Sequence, residues 1–205
     1  MGNVCSKLEP RGLFSKLENM KFKRRCPWAE GADPLMQQYH DTEWGVATKD
    51  DQKLFEFLIL ESAQAGLSWR TILTKRENYR KAFAHFDPKK IANFKSKDIA
   101  RLLKDAGIVR NRLKILAAIN NAKRFLEVQK EFGSFWKYSQ QFKKKGAAKQ
   151  VRTARSVPSV TPESEAFAKD LKKRGFKFLG PTVMYAHMQA VGIVNDHLQG
   201  CFRTK

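Results

Sequence analysis

The sequence predicts an all-α protein. Apolar residues recur at helical spacing from Asp50 onward, capping residues stand where those runs begin and end, and no stretch alternates apolar and polar residues long enough to pair as a sheet. Only residues 176–179 are ambiguous, and so short a run does not make a sheet. The chain has 205 residues, 42% of them hydrophobic, with 15 Phe, 4 Trp and 4 Tyr, which excludes a disordered polymer. At this length folding removes about 70% of the extended chain's surface from water, enough for a full core in one generous domain.

Taken in order, residues 1–25 carry Lys7, Arg11, Lys16, Lys21, Lys23, Arg24 and Arg25 with little apolar periodicity, and read as a basic tail before a single domain of residues 26–205. Met1-Gly2-Asn3-Val4-Cys5-Ser6 matches a short myristoylation pattern, but no membrane anchoring through Gly2 and Cys5 is expected from so weak a signal. Leu54, Phe55, Leu58 and Ile59 share one helix face; Ser68 restarts the pattern through Trp69, Ile72, Leu73, Tyr79 and Phe83. Asp87-Pro88, Ser96 and Thr161-Pro162 read as helix starts, and Gly107, Gly133, Gly175 and Gly192 as helix stops. The longest apolar stretch, residues 54–67, is interrupted by Glu56, Glu61 and Gln64, so no membrane-spanning helix is expected.

Between Ser96 and Phe132 the chain reads as two helices joined through a tight turn at Gly107. This arrangement resembles a helix-hairpin-helix, whose turn amides and second helix N-terminus can bind phosphates; an ordinary αα-hairpin has the same pattern. Charge points the same way. Forty Lys and Arg against 20 Asp and Glu give +20, a field that concentrates polyanions, so nucleic acid is the expected partner. Residues 143–155 add Lys143, Lys144, Lys145, Lys149, Arg152 and Arg155 with no acidic residue, a basic loop or a solvated linker. Three cysteines cannot all pair, which suits a reducing, cytoplasmic location beside the nucleoid if the source is bacterial.

Two sets of residues carry chemistry. Cys26, His40, His197 and Cys201 supply two thiols and two imidazoles, the donors of a closed tetrahedral zinc site, with His197 and Cys201 one helical turn apart. The Cys26 to His40 spacing is not that of a finger, and on spacing alone a buried Cys with ordinary histidines fits it better. The second set is Tyr39-His40-Asp41-Thr42-Glu43-Trp44-Gly45, then Glu61 with Gln64-Ala65-Gly66-Leu67-Ser68-Trp69, and Asn195-Asp196-His197. Each segment taken alone reads as core aromatics and ordinary helix pairs; together they mix aromatic faces with carboxylates in a way a simple DNA-binding module does not need.

At these residues the sequence resembles the bacterial DNA-3-methyladenine glycosylase I family. The similarity runs from Arg25-Cys26-Pro27-Trp28 through Lys75-Arg76-Glu77-Asn78-Tyr79-Arg80 and Lys172-Lys173-Arg174-Gly175-Phe176-Lys177-Phe178 to Cys201. The resemblance implies a helix-hairpin-helix glycosylase fold with a structural zinc held by Cys26, His40, His197 and Cys201. It implies Glu61 as the catalytic, base-binding carboxylate, Tyr39, Trp44, Trp69, Trp28 and Met36 as the base-binding set, and Leu67 as the DNA wedge. The implied partner is double-stranded DNA with alkylated bases, bound by a monomer without a small-molecule cofactor. Met36 departs from the family, which often has Tyr there, and no Asp stands where most helix-hairpin-helix glycosylases carry a catalytic one, an absence this family shares. No lysine is placed for Schiff-base chemistry, so a monofunctional enzyme leaving an abasic site is expected. The alternative, motivated by Met36 and the +20 charge, is a noncatalytic, zinc-stabilised, basic DNA-binding protein of the same fold.

Overall fold

A computed structural model describes residues 23–144 and 153–204. Asp33 opens α1 (Pro34–Thr42): its carboxylate accepts from the amides of Leu35 and Met36, and Pro34 fills the first helical position. Sequence reading starts its helices at Asp50 and passes over α1, although Asp33-Pro34 is the same signal as Asp87-Pro88. Asp50 caps α2 (Asp51–Gln64), Ser68 caps α3 (Trp69–Ala82), and Asp87 caps the short α4 (Pro88–Ile91). The expected hairpin appears as α5 (Ser96–Lys104) and α6 (Arg112–Phe132), followed by α7 (Phe135–Ser139), α8 (Pro162–Lys173) and α9 (Pro181–Ala190). No extended strand runs through the described residues, and residues 176–179 are irregular.

Two terminus assignments shift. Ser96 is the first residue of α5 rather than its cap; Lys95 holds that place, and its amide donates to Asp98 at 3.0 Å. Gly107 does not stop α5, which ends at Lys104, but sits inside the connecting turn. Gly133 follows α6 in the left-handed region as expected, and Thr161 caps α8 ahead of Pro162.

The architecture is organised around α2, in which every residue from Leu54 to Ala63 is buried. Helices α3, α6, α7 and α9 pack against it, the situation of a helix with no solvent face. Its start is tied to α7 by Asp51, whose carboxylate accepts from the amides of Phe135 (2.8 Å) and Trp136 (3.0 Å) and from Gln129 Nε2 (2.7 Å). On that side Phe55, Phe125 and Phe135 run ring against ring, at 4.8 and 4.5 Å between centroids. Among the described residues no helix is long and apolar enough to cross a membrane.

The described chain ends are brought together. The Arg24 carbonyl accepts from the Phe202 amide at 2.9 Å, and Arg25 grips Asp41 through two bonds, so Arg24 and Arg25 dock on the folded body although they read as tail. Residues 1–22 of that tail, with Gly2 and Cys5, lie outside the described residues, as do Lys145, Lys149 and Arg152 of the basic segment. After α9 the chain reverses at Gly192, φ +72°, close over the segment that follows α1. A Cβ there would lie 2.4 Å from the Ala47 amide nitrogen and 2.7 Å from the Val46 carbonyl carbon, both backbone atoms that cannot step aside. Gly192→Ala is therefore expected to lower unfolding free energy by about 2 kcal/mol or more, left-handed strain plus clash, measured by urea denaturation against wild type.

Candidate functional site

Cys26, His40, His197 and Cys201 converge. All four are buried, and their ligand-type atoms lie within 4.8 Å of one another. His40, on α1, directs Nε2 towards Cys201 Sγ at 3.4 Å while Nδ1 lies 2.9 Å from Asp41 Oδ1. Arg25 holds Asp41 in turn, through Nε at 2.9 Å and Nη2 at 2.7 Å. A carboxylate behind an imidazole fixes its tautomer and aims its other nitrogen, as ligating histidines require. Residues 197–201 form a turn rather than the helix face expected from their spacing, yet they bring His197 and Cys201 to the same centre.

His197 stacks against two rings, 5.0 Å from His40 and 4.5 Å from Trp44. Gly45, φ +77°, lets this happen: a Cβ there would stand 3.2 Å from the imidazole Cε1. His197 Nδ1 is buried with no hydrogen-bond partner, and burial together with His40 lowers its pKa to about 4, so it presents a neutral donor. Burial pushes the Cys26 thiol up to about 11, against the pull of the Leu198 amide, which donates to its Sγ at 3.3 Å. Two thiols and two imidazoles, one with an orphaned nitrogen, are a donor set that could hold a metal ion.

Beside the cluster the predicted aromatics form a continuous run. Trp28 lies 5.1 Å from Trp44 and 6.3 Å from Tyr39, and Tyr39 lies 5.5 Å from Trp69. Trp44 faces His40 and His197 as well, so it walls the Cys/His cluster. Met36 is half-buried against the core. Glu61, near the end of α2, is 4% exposed, and its charge, after burial itself, pushes the Tyr39 phenol well above its ordinary range. Burial also raises the Glu61 carboxyl, opposed by a partner absent from the predicted set: His187 of α9, whose Nδ1 lies 2.9 Å from Glu61 Oε2. Nothing in the sequence marks His187, since it stands in an apolar helix more than a hundred residues from Glu61.

Leu67 is exposed, on the turn after α2, where Gly66 takes φ +79°. A second residue missed by sequence reading braces this turn. Lys114, in the first turn of α6, donates to the carbonyls of Ala63 (2.8 Å) and Ala65 (2.6 Å) and so couples the Leu67 turn to the hairpin. Within the hairpin the amide of Gly107 donates to Asp105 and that of Val109 to Tyr79 Oη. These turn amides are engaged inside the protein. Asp196, expected near the pocket, instead anchors the last segment to α9 by accepting from Tyr185 Oη and from Gln189 Nε2. Glu43 is held by Arg76 at 2.7 and 2.8 Å and by Lys53 at 2.7 Å.

A helical body with an aromatic run beside a deeply buried carboxylate is an arrangement with the chemistry to hold a flat, charge-bearing ring. The chain belongs to the methyladenine glycosylase family, whose model matches residues 28–204. It is 48% identical over 178 residues to DNA-3-methyladenine glycosylase 1 of Escherichia coli strain K12, covering 86% of this chain and 95% of that one. Its identity to the Haemophilus influenzae DNA-3-methyladenine glycosylase is 47% over 181 residues, 86% of this chain and 96% of the relative. Among solved structures, a crystal structure of 3-methyladenine DNA glycosylase I superposes with a TM-score of 0.84 at 48% identity, covering 89% of this chain and all of that one. A Staphylococcus aureus structure described as the basis of 3-methyladenine recognition superposes with a TM-score of 0.83 at 38% identity, over 89% of this chain and 97% of that one.

The Glu43 pairing gives a pH prediction. Burial opposes its charge, but Arg76 and Lys53 bring the folded-state pKa down from 4.5 to about 2. The stabilisation is complete above the unfolded value and disappears as pH falls through the folded one. Glu43→Gln is therefore expected to lower stability at neutral pH and to flatten the decline between pH 4.5 and about 2, read from denaturation midpoints across that window.

Proposed function

We propose that this chain is a monofunctional DNA-3-methyladenine glycosylase, hydrolysing the N-glycosidic bond of the alkylated base in double-stranded DNA. The observation that carries this reading is the sealed Glu61 carboxylate beside the Tyr39–Trp69 pair, in a chain that spans almost the whole length of its relatives. We assign residues 26–205 to a single catalytic domain acting as a monomer, with residues 1–25 as a basic segment whose last two residues, Arg24 and Arg25, dock on that domain. No small-molecule cofactor is required.

Methylation at adenine N3 places a positive charge on the base and makes it a good leaving group, so recognition can replace much of the acid catalysis. The nucleotide must first leave the stack, which costs a few kcal/mol, least for a damaged base. Leu67 on its exposed turn fills the space left in the duplex, as apolar wedges do. Phosphate contact at the hairpin falls to the exposed side chains of Arg110 and Arg112 at the start of α6, because the turn amides already have partners. Trp28, Tyr39, Trp44 and Trp69 then offer faces to the cationic ring, worth up to about 2 kcal/mol in a dry site. Met36 supplies a soft apolar wall. Glu61 accepts from the exocyclic amine and balances the positive charge, a charge-assisted pairing.

Zinc suits the Cys26, His40, His197 and Cys201 donors. With four protein ligands the site is closed, and zinc there supplies a structural clip between the two ends of the fold, on the order of 10 kcal/mol. The purified protein should contain one zinc per chain by elemental analysis, and chelation should sharply lower its melting temperature.

The decisive experiment is release of free base from alkylated duplex DNA, resolved by chromatography. Wild type should liberate 3-methyladenine, and Glu61→Gln should lose about 100-fold in single-turnover rate while duplex binding persists. No release from folded, zinc-loaded wild type would leave the noncatalytic DNA-binding reading.

A further inference from the structure

Glu61 is one of two carboxylates within the sealed Leu54–Ala63 span of α2, and the two are treated differently. Glu56 is neutralised outright: Arg76 donates to its Oε1 at 2.7 Å and Arg80 at 2.8 Å, with Lys53 3.6 Å from Oε2. Glu61 has no basic side chain in that position. Its Oε2 faces Nδ1 of His187 at 2.9 Å, and His187 is itself fully buried, 0% exposed, with the rings of Phe135 and Phe167 at 6.4 and 6.5 Å. The other imidazole nitrogen, Nε2, is sealed among these groups with no hydrogen-bond partner.

That orphan nitrogen decides the chemistry of the pair. A buried N–H without an acceptor is rarer and costlier than a buried lone pair without a donor. Protonating Nε2 would create such an orphan, whether as the other neutral tautomer or as an imidazolium. The arrangement that leaves only a bare lone pair is neutral His187 with its proton on Nδ1, donating to Oε2. One carboxylate oxygen is then held, and the carboxylate plane with it, while the negative charge is not cancelled as it would be by Arg or Lys.

We propose that His187 is the positioning residue of the base site: a neutral donor that fixes the orientation of the Glu61 carboxylate and leaves its charge for a cationic base. This rests on the glycosylase reading above. It also adds a specificity device, because a carboxylate buried with a neutral partner is completed by a positively charged alkylated purine and not by an ordinary neutral base.

Two substitutions separate positioning from packing. His187→Asn keeps an N–H close to the Nδ1 position but loses contact with Phe135 and Phe167; His187→Leu keeps apolar bulk and loses the donor. If His187 positions Glu61, His187→Leu should lower the single-turnover rate of 3-methyladenine release about 10- to 100-fold, the value of a hydrogen bond to a charged group, with Asn recovering most of it despite being the less stable protein. Equal rates for Leu and wild type, or rates that follow melting temperature, would overturn the proposal. Long-range 1H–15N correlation on unliganded wild type gives a second, activity-independent arm. A proton on Nδ1 and none on Nε2 at neutral pH is expected, and a protonated Nε2 overturns the assignment. Failure of wild type to release any base would sink the glycosylase reading and is distinct from both outcomes.

Discussion

Burial of α2 on every side is the constraint from which the rest of the structure follows. A helix sealed from Leu54 to Ala63 can be as apolar as its environment allows, but Glu56 and Glu61 lie inside that span. A carboxylate taken out of water without a partner is costly enough to be neutralised or excluded, so each needs an answer from a neighbouring helix. For Glu56 the answer is α3, through Arg76 and Arg80. For Glu61 it is α9, through His187. The positions of α3 and α9 are thus set by polar demands of the central helix as well as by apolar packing, and the aromatic run containing Tyr39 and Trp69 is held alongside.

The last segment of the chain obeys a related logic. Residues after α9 form turns with few backbone bonds of their own, and are held by side chains instead. Tyr185 and Gln189 secure Asp196, Asn195 accepts from the His197 amide, and the Gly192 turn lies against residues 46 and 47. These contacts place His197 on Trp44 and His40. Trp44 therefore links the cluster at the chain ends to the aromatic run, so the order of the ring that faces the proposed base site depends on closure of the ends.

Much of this was legible in the sequence because it is local. Asp50, Ser68, Asp87 and Thr161 cap the helices expected of them, and the apolar spacing of Leu54, Phe55, Leu58 and Ile59 marks α2. The four Cys/His residues were named as a set and do converge. The missing pieces are long-range. His187 reads as a polar residue in an apolar helix until α9 is packed on α2, and Lys114 reads as one basic residue among forty until its ammonium meets the carbonyls after α2. Trp44 reads as a pocket residue from its sequence neighbours, which give no sign that it also walls the Cys/His cluster. Its place against the histidines depends on the Gly45 turn and on a segment that returns from the far end of the chain.

The charge distribution reconciles two demands that appear opposed on the proposed function. The protein must gather a polyanion and then hold a cation. Several of its acidic groups are paired within the fold: Asp41 by Arg25, Glu43 and Glu56 by Arg76, Asp170 by Arg174, Asp51 by backbone amides. The surplus of +20 is therefore expressed outward, as at exposed Arg110 and Arg112 beside the hairpin. That field acts over about a Debye length, 8–10 Å at physiological salt, and attracts phosphate wherever the duplex approaches. Glu61 acts only at contact, inside a low-dielectric site where one carboxylate charge is worth far more than it would be in water. Range separates the two tasks, so one chain can be strongly basic towards the backbone of DNA and acidic towards a single base lifted out of it.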